Sequence, residues 1–363
     1  MGIAQKLARL DGAARPSLSA MVPTAVFAAL YSAARHPMLR LLSRERVVVQ
    51  PPIHSVEYAG LRFRNDLGNA AGFDKDGELL ALNYQMGAGF AVVGTVLIEP
   101  HNGNSFGPFP INPWTPLTYS HGALNSLGLP NVGVDVVVRN IARFKADYKP
   151  VDFPIGVSIM GHPAHEGEKK LQGTVECLRR VLPFADFVEI NESCPNVHDD
   201  SADLSDRLRK LVDARNSYFA LSGRYVPLFV KLGTFGDVEH MVRFMTEHVD
   251  GLVGVNTQKN YDELRTKLDP RDVKMFNYYT KAHGGGVSGA PIGDFAFEQI
   301  ESAAREIKAQ RSHLKLIHVG GIRTQKDIAR SRQLGDVVPL REWYTGMMEA
   351  MTLSFENVYD VVR

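Results

Sequence analysis

From Leu67 onward, short apolar runs alternate with longer stretches whose apolar residues recur at helical spacing. Residues 67–71, 90–96, 155–159, 187–191, 228–232, 251–256, 314–319 and 336–340 are candidate strands. Most of these runs are apolar at consecutive positions, as in strands buried on both faces of a parallel sheet. Helical patterns lie between them, for example over 204–217, 237–248 and 295–309. Eight strands alternating with helices over about 280 residues predict an α/β fold, a (β/α)8 TIM barrel. A doubly wound open sheet is the competing arrangement, but no GxGxxG opens a helix after the first strand. Ahead of the barrel, residues 56–63 alternate around Gly60, which predicts a short hairpin.

The first fifty residues follow another pattern. No charged residue lies between Arg15 and Arg35, and Leu18, Met21, Val22, Ala25, Val26, Ala29, Leu30 and Ala33 share one helical face. Residues 37–46 then set Met38, Leu41 and Leu42 among Arg40, Arg44 and Arg46. A spanning helix fits poorly, because the run is alanine-rich, holds Pro23 and barely reaches spanning length. A signal peptide needs a cleavage site that is not evident. The favoured reading is a pair of amphipathic, basic-flanked helices lying on a membrane surface, with simple packing on the barrel as the alternative. Residues 1–50 are thus expected to be a helical extension, joined through Pro51-Pro52 to a barrel over 51–363.

Composition narrows the function classes. A net charge of +1 offers no electrostatic argument for nucleic acid. Two cysteines, Cys177 and Cys194, exclude a disulfide framework and fit a reducing compartment. Cys177 falls in a helical pattern and reads as core. His162, His198 and His283 lack metal-ligand spacing and read as loop residues, so no metal site is expected.

A barrel places its chemistry at the C-terminal ends of its strands, and here those ends are polar. They carry Ala70-Ala71-Gly72-Phe73-Asp74-Lys75, Gly94-Thr95, Ser158, Asn191-Glu192-Ser193-Cys194-Pro195-Asn196, Lys231, Asn256-Thr257, Gly320-Gly321 and Tyr344-Thr345-Gly346. Any one of these is more readily structural, Cys194 included, since a free cysteine is commonly an inert core residue. Together they can converge on one pocket. The glycines of 284–289, 320–321 and 346 fall where barrels bind phosphate, with backbone N–H groups and a helix N-terminus turned to the anion. Lys75 and Lys231 need an anionic partner if buried. A flavin mononucleotide (FMN) supplies a phosphate and, when reduced, negative charge near N1.

With those residues in view, the stretch from Tyr58 to Gly346 resembles the dihydroorotate dehydrogenases. Residues 70–78 and Gly94-Thr95-Val96 are similar to the membrane-associated, quinone-dependent class 2 enzymes. The N-terminal helix pair also fits that class, in which such a pair forms the quinone entrance. Residues 124–131 and 191–196 resemble instead the soluble class 1 enzymes, which use a cysteine base where class 2 uses serine. Ser158 is class 1-like as well.

The resemblance implies a role for each matching position. Cys194 is the implied base. Lys75, Asn125, Ser126, Leu127, Gly128, Leu129, Asn191, Asn196, Asn256 and Thr257 are implied substrate contacts. Ala71, Gly72, Lys75, Thr95, Ser158, Asn191, Lys231, Val255, Gly289, Gly321, Tyr344 and Thr345 are implied FMN contacts. Three departures stand out. Residues 105–110 replace an arginine-rich stretch of class 2, residues 336–343 are about two residues longer than usual, and residues 347–351 differ from the usual segment.

The implied reaction is FMN-dependent oxidation of dihydroorotate to orotate in pyrimidine biosynthesis. Hydride passes to flavin N5, a proton to Cys194, and the electrons to a quinone, with fumarate as a competing acceptor. The implied location is peripheral, on the cytoplasmic face of a membrane or an equivalent inner membrane. Two other functions compete. One keeps the FMN barrel but acts on another dihydropyrimidine or an enone. The other is an inactive flavin-binding homologue.

Overall fold

The computed structural model describes residues 2–47, 49–192 and 204–363. The chain opens with two helices, α1 (Ile3–Met21) and α2 (Thr24–Leu42), and a hairpin of β1 (Val56–Tyr58) and β2 (Leu61–Phe63). Strand β3 (Leu67–Asp74), helix α3 (Leu80–Met86) and strand β4 (Phe90–Val96) start the barrel. Two short strands, β5 (Trp114–Leu117) and β6 (Gly122–Asn125), interrupt the rhythm. It resumes with α4 (Val134–Tyr148), β7 (Ile155–Ile159), α5 (Gly167–Val181), β8 (Phe187–Asn191) and α6 (Leu204–Ser222). Next come β9 (Leu228–Leu232), α7 (Val238–Thr246) and β10 (Gly251–Gly254). Helices α8 (Tyr261–Thr266) and α9 (Val273–His283) and strand β11 (Gly286–Gly289) form a second interruption. The chain finishes with α10 (Gly293–Ala309), β12 (Lys315–Val319), α11 (Gln325–Arg332), β13 (Leu340–Trp343) and α12 (Thr345–Leu353).

Eight parallel strands close the barrel in the order β10-β12-β13-β3-β4-β7-β8-β9. The expected TIM barrel is therefore present. Its lower interior is filled by aromatic side chains: Phe90 meets Phe63 from the hairpin and Phe187, and Phe187 meets Phe229, with ring centroids 5.6–6.0 Å apart. Such plugging leaves the C-terminal strand ends as the place for a ligand. Glycine makes room for the plug: a Cβ at Gly156 would stand 2.3 Å from the Phe187 ring.

Three features depart most from the sequence expectation. The N-terminal helices break at Pro23 rather than after Arg35, and both α1 and α2 run through a proline, Pro16 and Pro37. The residue before a proline is pushed out of the helical region, and Val22 is extended with ψ 138°. The last barrel strand is Leu340–Trp343, not 336–340, because Gly335–Val337 forms a 3-10 turn below the barrel. Strand β13 pairs in parallel with β3 and β12. Finally, β5, β6 and β11 form an antiparallel sheet that the sequence reading left as loop and glycine-rich phosphate motif.

The N-terminal helices lie on the barrel. Ser32 on α2 donates to the Trp114 carbonyl on β5 at 2.8 Å, and Arg9 on α1 donates to the Leu353 carbonyl at the end of α12 at 3.1 Å. Residues 347–351 become the body of α12, with Met347 and Met351 buried against the barrel. Ile3, Leu7, Leu10, Leu18, Met21, Val26 and Leu30 remain exposed on α1 and α2. Among the described residues, no helix is long and apolar enough to cross a membrane.

Candidate active site

A cleft of roughly 1080 Å³, its open mouth included, lies over the C-terminal ends of the barrel strands. Ala71, Gly72 and Lys75 line it from β3, Thr95 from β4, Asn191 from β8, Lys231 from β9, and Val255, Asn256 and Thr257 from the turn after β10. Asn125, Leu127, Gly128 and Leu129 enter from the lid sheet, and Gly289, Gly321, Tyr344 and Thr345 close the far corner. Most of the strand ends named from sequence thus converge, among the described residues, on one space.

Ser158 and Ser126 stand behind that lining. Ser158 is fully buried and sits 3.2 Å from the Thr95 hydroxyl, which also accepts from the Asn191 amide at 3.0 Å. Ser158 therefore fixes Thr95 and Asn191 from below instead of facing the cleft. Ser126, just after β6, is buried and accepts from Asn104 in the loop between β4 and β5. Cys194 and Asn196, with Ser193 and His198, lie outside the described residues.

One corner is built for an anion. Gly289 and Gly321 have positive φ, 87° and 75°, and the chain around them is pressed close: a Cβ on Gly321 would lie 2.1 Å from Gly293 Cα. A Cβ on Gly346 would lie 2.5 Å from the Ile322 carbonyl oxygen. Helix α12 starts here without a side-chain cap, so its first N–H groups are open to an anion. The hydroxyls of Ser288 and Thr345, 2.9 Å apart, add neutral donors. This donor set fits a phosphate.

The cleft floor is charged. Lys231, 3% exposed, lies 3.6 Å from Glu189 on β8 and 3.3 Å from Glu342 on β13. Burial pulls the ammonium pKa down, but the two carboxylates more than offset this, and the net shift is upward. Lys231 thus has the anionic partner that its burial demands, and that partner is the protein's own pair of carboxylates. Neither glutamate was singled out from sequence. Glu189 sits inside an apolar strand run, and a carboxylate at such a position is itself a signal, because it is almost never buried unpaired; Glu342 follows Arg341 in a strand with no apolar run to mark it.

Arg35 was likewise read only as a flanking charge. Its guanidinium donates to the Gly72 carbonyl and to the Tyr344 hydroxyl, both at 3.2 Å, so α2 reaches the rim of the cleft. Beside that rim, a second cleft is lined by Arg35, His36 and Leu39 of α2, and by Phe73, Lys75 and Ile111. Lys75 lines both clefts. Asp74 below it is fully buried, and burial pushes its pKa up to about 7 against the pull of the Leu79 and Gly77 N–H groups.

The remaining expectations concern packing. Cys177 is buried in α5, where burial raises its thiol pKa to about 12, as expected for core. His162 stands in the loop after β7 against His101 and His165, and His283 is the last residue of α9 rather than a loop residue. Among the described residues no group of side chains is arranged to hold a metal.

Comparison with known proteins agrees with this geometry. Residues 54–358 match the family model for dihydroorotate dehydrogenase. A dihydroorotate dehydrogenase (quinone) from Akkermansia muciniphila is 30% identical over 324 residues, covering 85% of this chain and 86% of the relative. One from Actinobacillus pleuropneumoniae is 31% identical over 294 residues, covering 78% of this chain and 81% of the relative. The structure of a ligand-free DHODH from Eimeria tenella superposes with a TM-score of 0.73 at 25% identity, covering 90% of this chain and 92% of that one. The chain belongs to the dihydroorotate dehydrogenase family.

Proposed function

We propose that the protein oxidises dihydroorotate to orotate with a bound FMN and passes the electrons to a quinone, as a step of pyrimidine biosynthesis. The observation that carries this reading is one cleft holding Lys75, Asn125, Asn191 and Asn256 beside an anion-binding glycine corner. The quinone-dependent relatives support the choice of acceptor.

The cleft's chemistry fits FMN. The α12 N-terminus, Gly289, Gly321, Ser288 and Thr345 would hold the phosphate. Ala71, Gly72, Thr95 and Val255 would line the ring, with Lys231 beneath it. When bound, the flavin supplies a two-electron acceptor that takes hydride at N5. Substrate loses two C–H bonds and gains a C=C bond, so one hydrogen leaves as hydride and the other as a proton. Cys194, which follows β8 by three residues in the sequence, is our choice for the proton acceptor, and its thiol needs a lowered pKa or a relay to serve at neutral pH. Asn125, Asn191, Asn196 and Asn256 would bind the amide edges, and such a site rejects analogues lacking them. Thr257 and residues 126–129 would complete the substrate side, with Lys75 between substrate and flavin.

The second cleft would give the acceptor a route that ends at Lys75, which it shares with the first cleft. The exposed apolar residues of α1 and α2 would rest in the interface of a membrane, making residues 1–50 a peripheral anchor and quinone entrance to the barrel of 51–363. The location we propose with it is peripheral, on the cytoplasmic face of a membrane or on an equivalent inner membrane. Purified protein should be yellow, and its dihydroorotate turnover should require a quinone. Turnover with fumarate but not quinone would remove the acceptor assignment. Colourless protein unable to take up FMN would remove the flavin reading.

A further inference from the structure

The cleft floor holds more charge than the reaction above uses. Glu189 and Glu342 are 0% exposed, and Lys231 bridges them from β9, with Glu342 arriving from across the barrel on β13. Both oxygens of Glu189 and Oε1 of Glu342 lack a hydrogen-bond partner. With all three groups ionised, a net charge of −1 would be held away from water, and two carboxylates facing each other across one cation do not both ionise readily.

Other charges do not relieve this. On β12, next to β13, His318 turns outward, with Nδ1 3.0 Å from the Ser331 hydroxyl. Arg341, the residue before Glu342, also points outward, donating to Ser331 and Asp66. On β3, the other neighbour, Asn69 donates its amide to the Val92 carbonyl, and Lys75 stands higher, at the cleft wall. The charged groups facing Glu342 among the described residues are Glu189 and Lys231. Burial, then the Glu189 charge, push the Glu342 pKa well above the usual carboxylate range, with Lys231 pulling it back only in part.

We propose that Glu342 is a positioning residue that carries a proton at neutral pH, so that Glu189, Lys231 and Glu342 form a charge-neutral trio beneath the flavin. The trio rests on the reading of the cleft as an FMN site. Its role is to keep the Lys231 ammonium at the floor without a surplus negative charge beside it. Adding negative charge to the cleft by reduction strengthens the hold of Glu342 on its proton. By reciprocity, loss of that proton at alkaline pH makes the flavin harder to reduce. Glu342 thereby ties the flavin potential to pH.

Two measurements on the full-length holoenzyme, with E342Q and E189Q alongside, test this. The first is the infrared carboxylic-acid C=O band of protein labelled with 13C-glutamate, a label that separates it from Asp74. The wild type should show the band at neutral pH and E342Q should lack it. E189Q should lose it too, because the one remaining carboxylate then ionises against Lys231. The second is the midpoint potential of the flavin from pH 6 to pH 10. E342Q should match the wild type at pH 6 and lie above it increasingly as pH rises. Absence of the band from the wild type would overturn the proposal without using any variant. So would a potential offset in E342Q that is the same at every pH. Should the band be present in a protein that takes up no FMN, the trio's protonation stands and the flavin reading fails.

Discussion

Replacing Lys231 by methionine removes the cation that bridges Glu189 and Glu342 while keeping much of the stem's volume. Both carboxylates are fully buried, 3.6 Å and 3.3 Å from the ammonium. With Glu342 already protonated, the variant folds with an unpaired Glu189 unless that group also takes a proton. Starting from a glutamate pKa of about 4.3, the native state must hold this proton at a cost of about 1.4 kcal/mol per pH unit. That amounts to about 1 kcal/mol at pH 5 and about 3.7 kcal/mol at pH 7. The second figure agrees with the loss of about 3–5 kcal/mol seen when one partner of a buried ion pair is removed. Because the native variant binds more protons than its unfolded chain above pH 4.3, its stability falls as pH rises. Urea unfolding of both proteins at pH 5, 6, 7 and 8 measures this directly. The gap between wild type and K231M should widen with pH by about 1.4 kcal/mol per unit. A gap that stays constant or narrows refutes the charge assignment at the cleft floor.

Three further outcomes follow from the site. Cys194→Ala should keep its yellow flavin but lose most of its dihydroorotate-dependent flavin reduction at neutral pH; stopped-flow absorbance reads both, and wild-type rates would remove Cys194 from its role. Gly321→Ala places a Cβ 2.1 Å from Gly293 Cα at φ 75°. The left-handed backbone alone costs about 1–2 kcal/mol, so FMN affinity measured by fluorescence quenching should fall by about five- to thirtyfold. Removing residues 1–50 should abolish sedimentation with anionic liposomes and turnover with a long-chain quinone, and unchanged binding would contradict the membrane reading of α1 and α2.

Much of the barrel was legible in the sequence because its strands are buried on both faces. Phe90–Val96, Ile155–Ile159, Phe187–Asn191 and Leu228–Leu232 are bounded by their own apolar runs. The last strand was misplaced for a physical reason. Its members Arg341 and Glu342 are charged yet buried, satisfied by Asp66 on one side and Lys231 on the other, while the more apolar Val337-Val338-Pro339 lies outside the strand. A hydropathy pattern cannot register a charge whose partner is more than a hundred residues away. Glu189 was hidden in a similar way, since its partner Lys231 stands on the next strand of the barrel and not in its own run. The lid sheet was missed because its strands are only four residues long and pair across long stretches of chain, β6 with β11. By contrast, the cleft-lining glycines, amides and lysines were found, because barrel topology sends strand ends to one face whatever the details of pairing. Ser158 and Ser126 stand one layer behind that lining, hydrogen-bonded to Thr95 and Asn104. A strand-end position predicts the right neighbourhood, and only packing decides which side chains reach the open space.

The central claim is that this cleft oxidises dihydroorotate through a flavin. Its most direct test is an anaerobic titration of the purified, FMN-loaded protein with dihydroorotate, followed by the visible flavin spectrum and by orotate in the filtrate. The account predicts that the flavin bleaches as substrate is added, with one orotate formed per flavin reduced. A flavin that stays yellow in excess dihydroorotate, yet is reduced by dithionite, would contradict it.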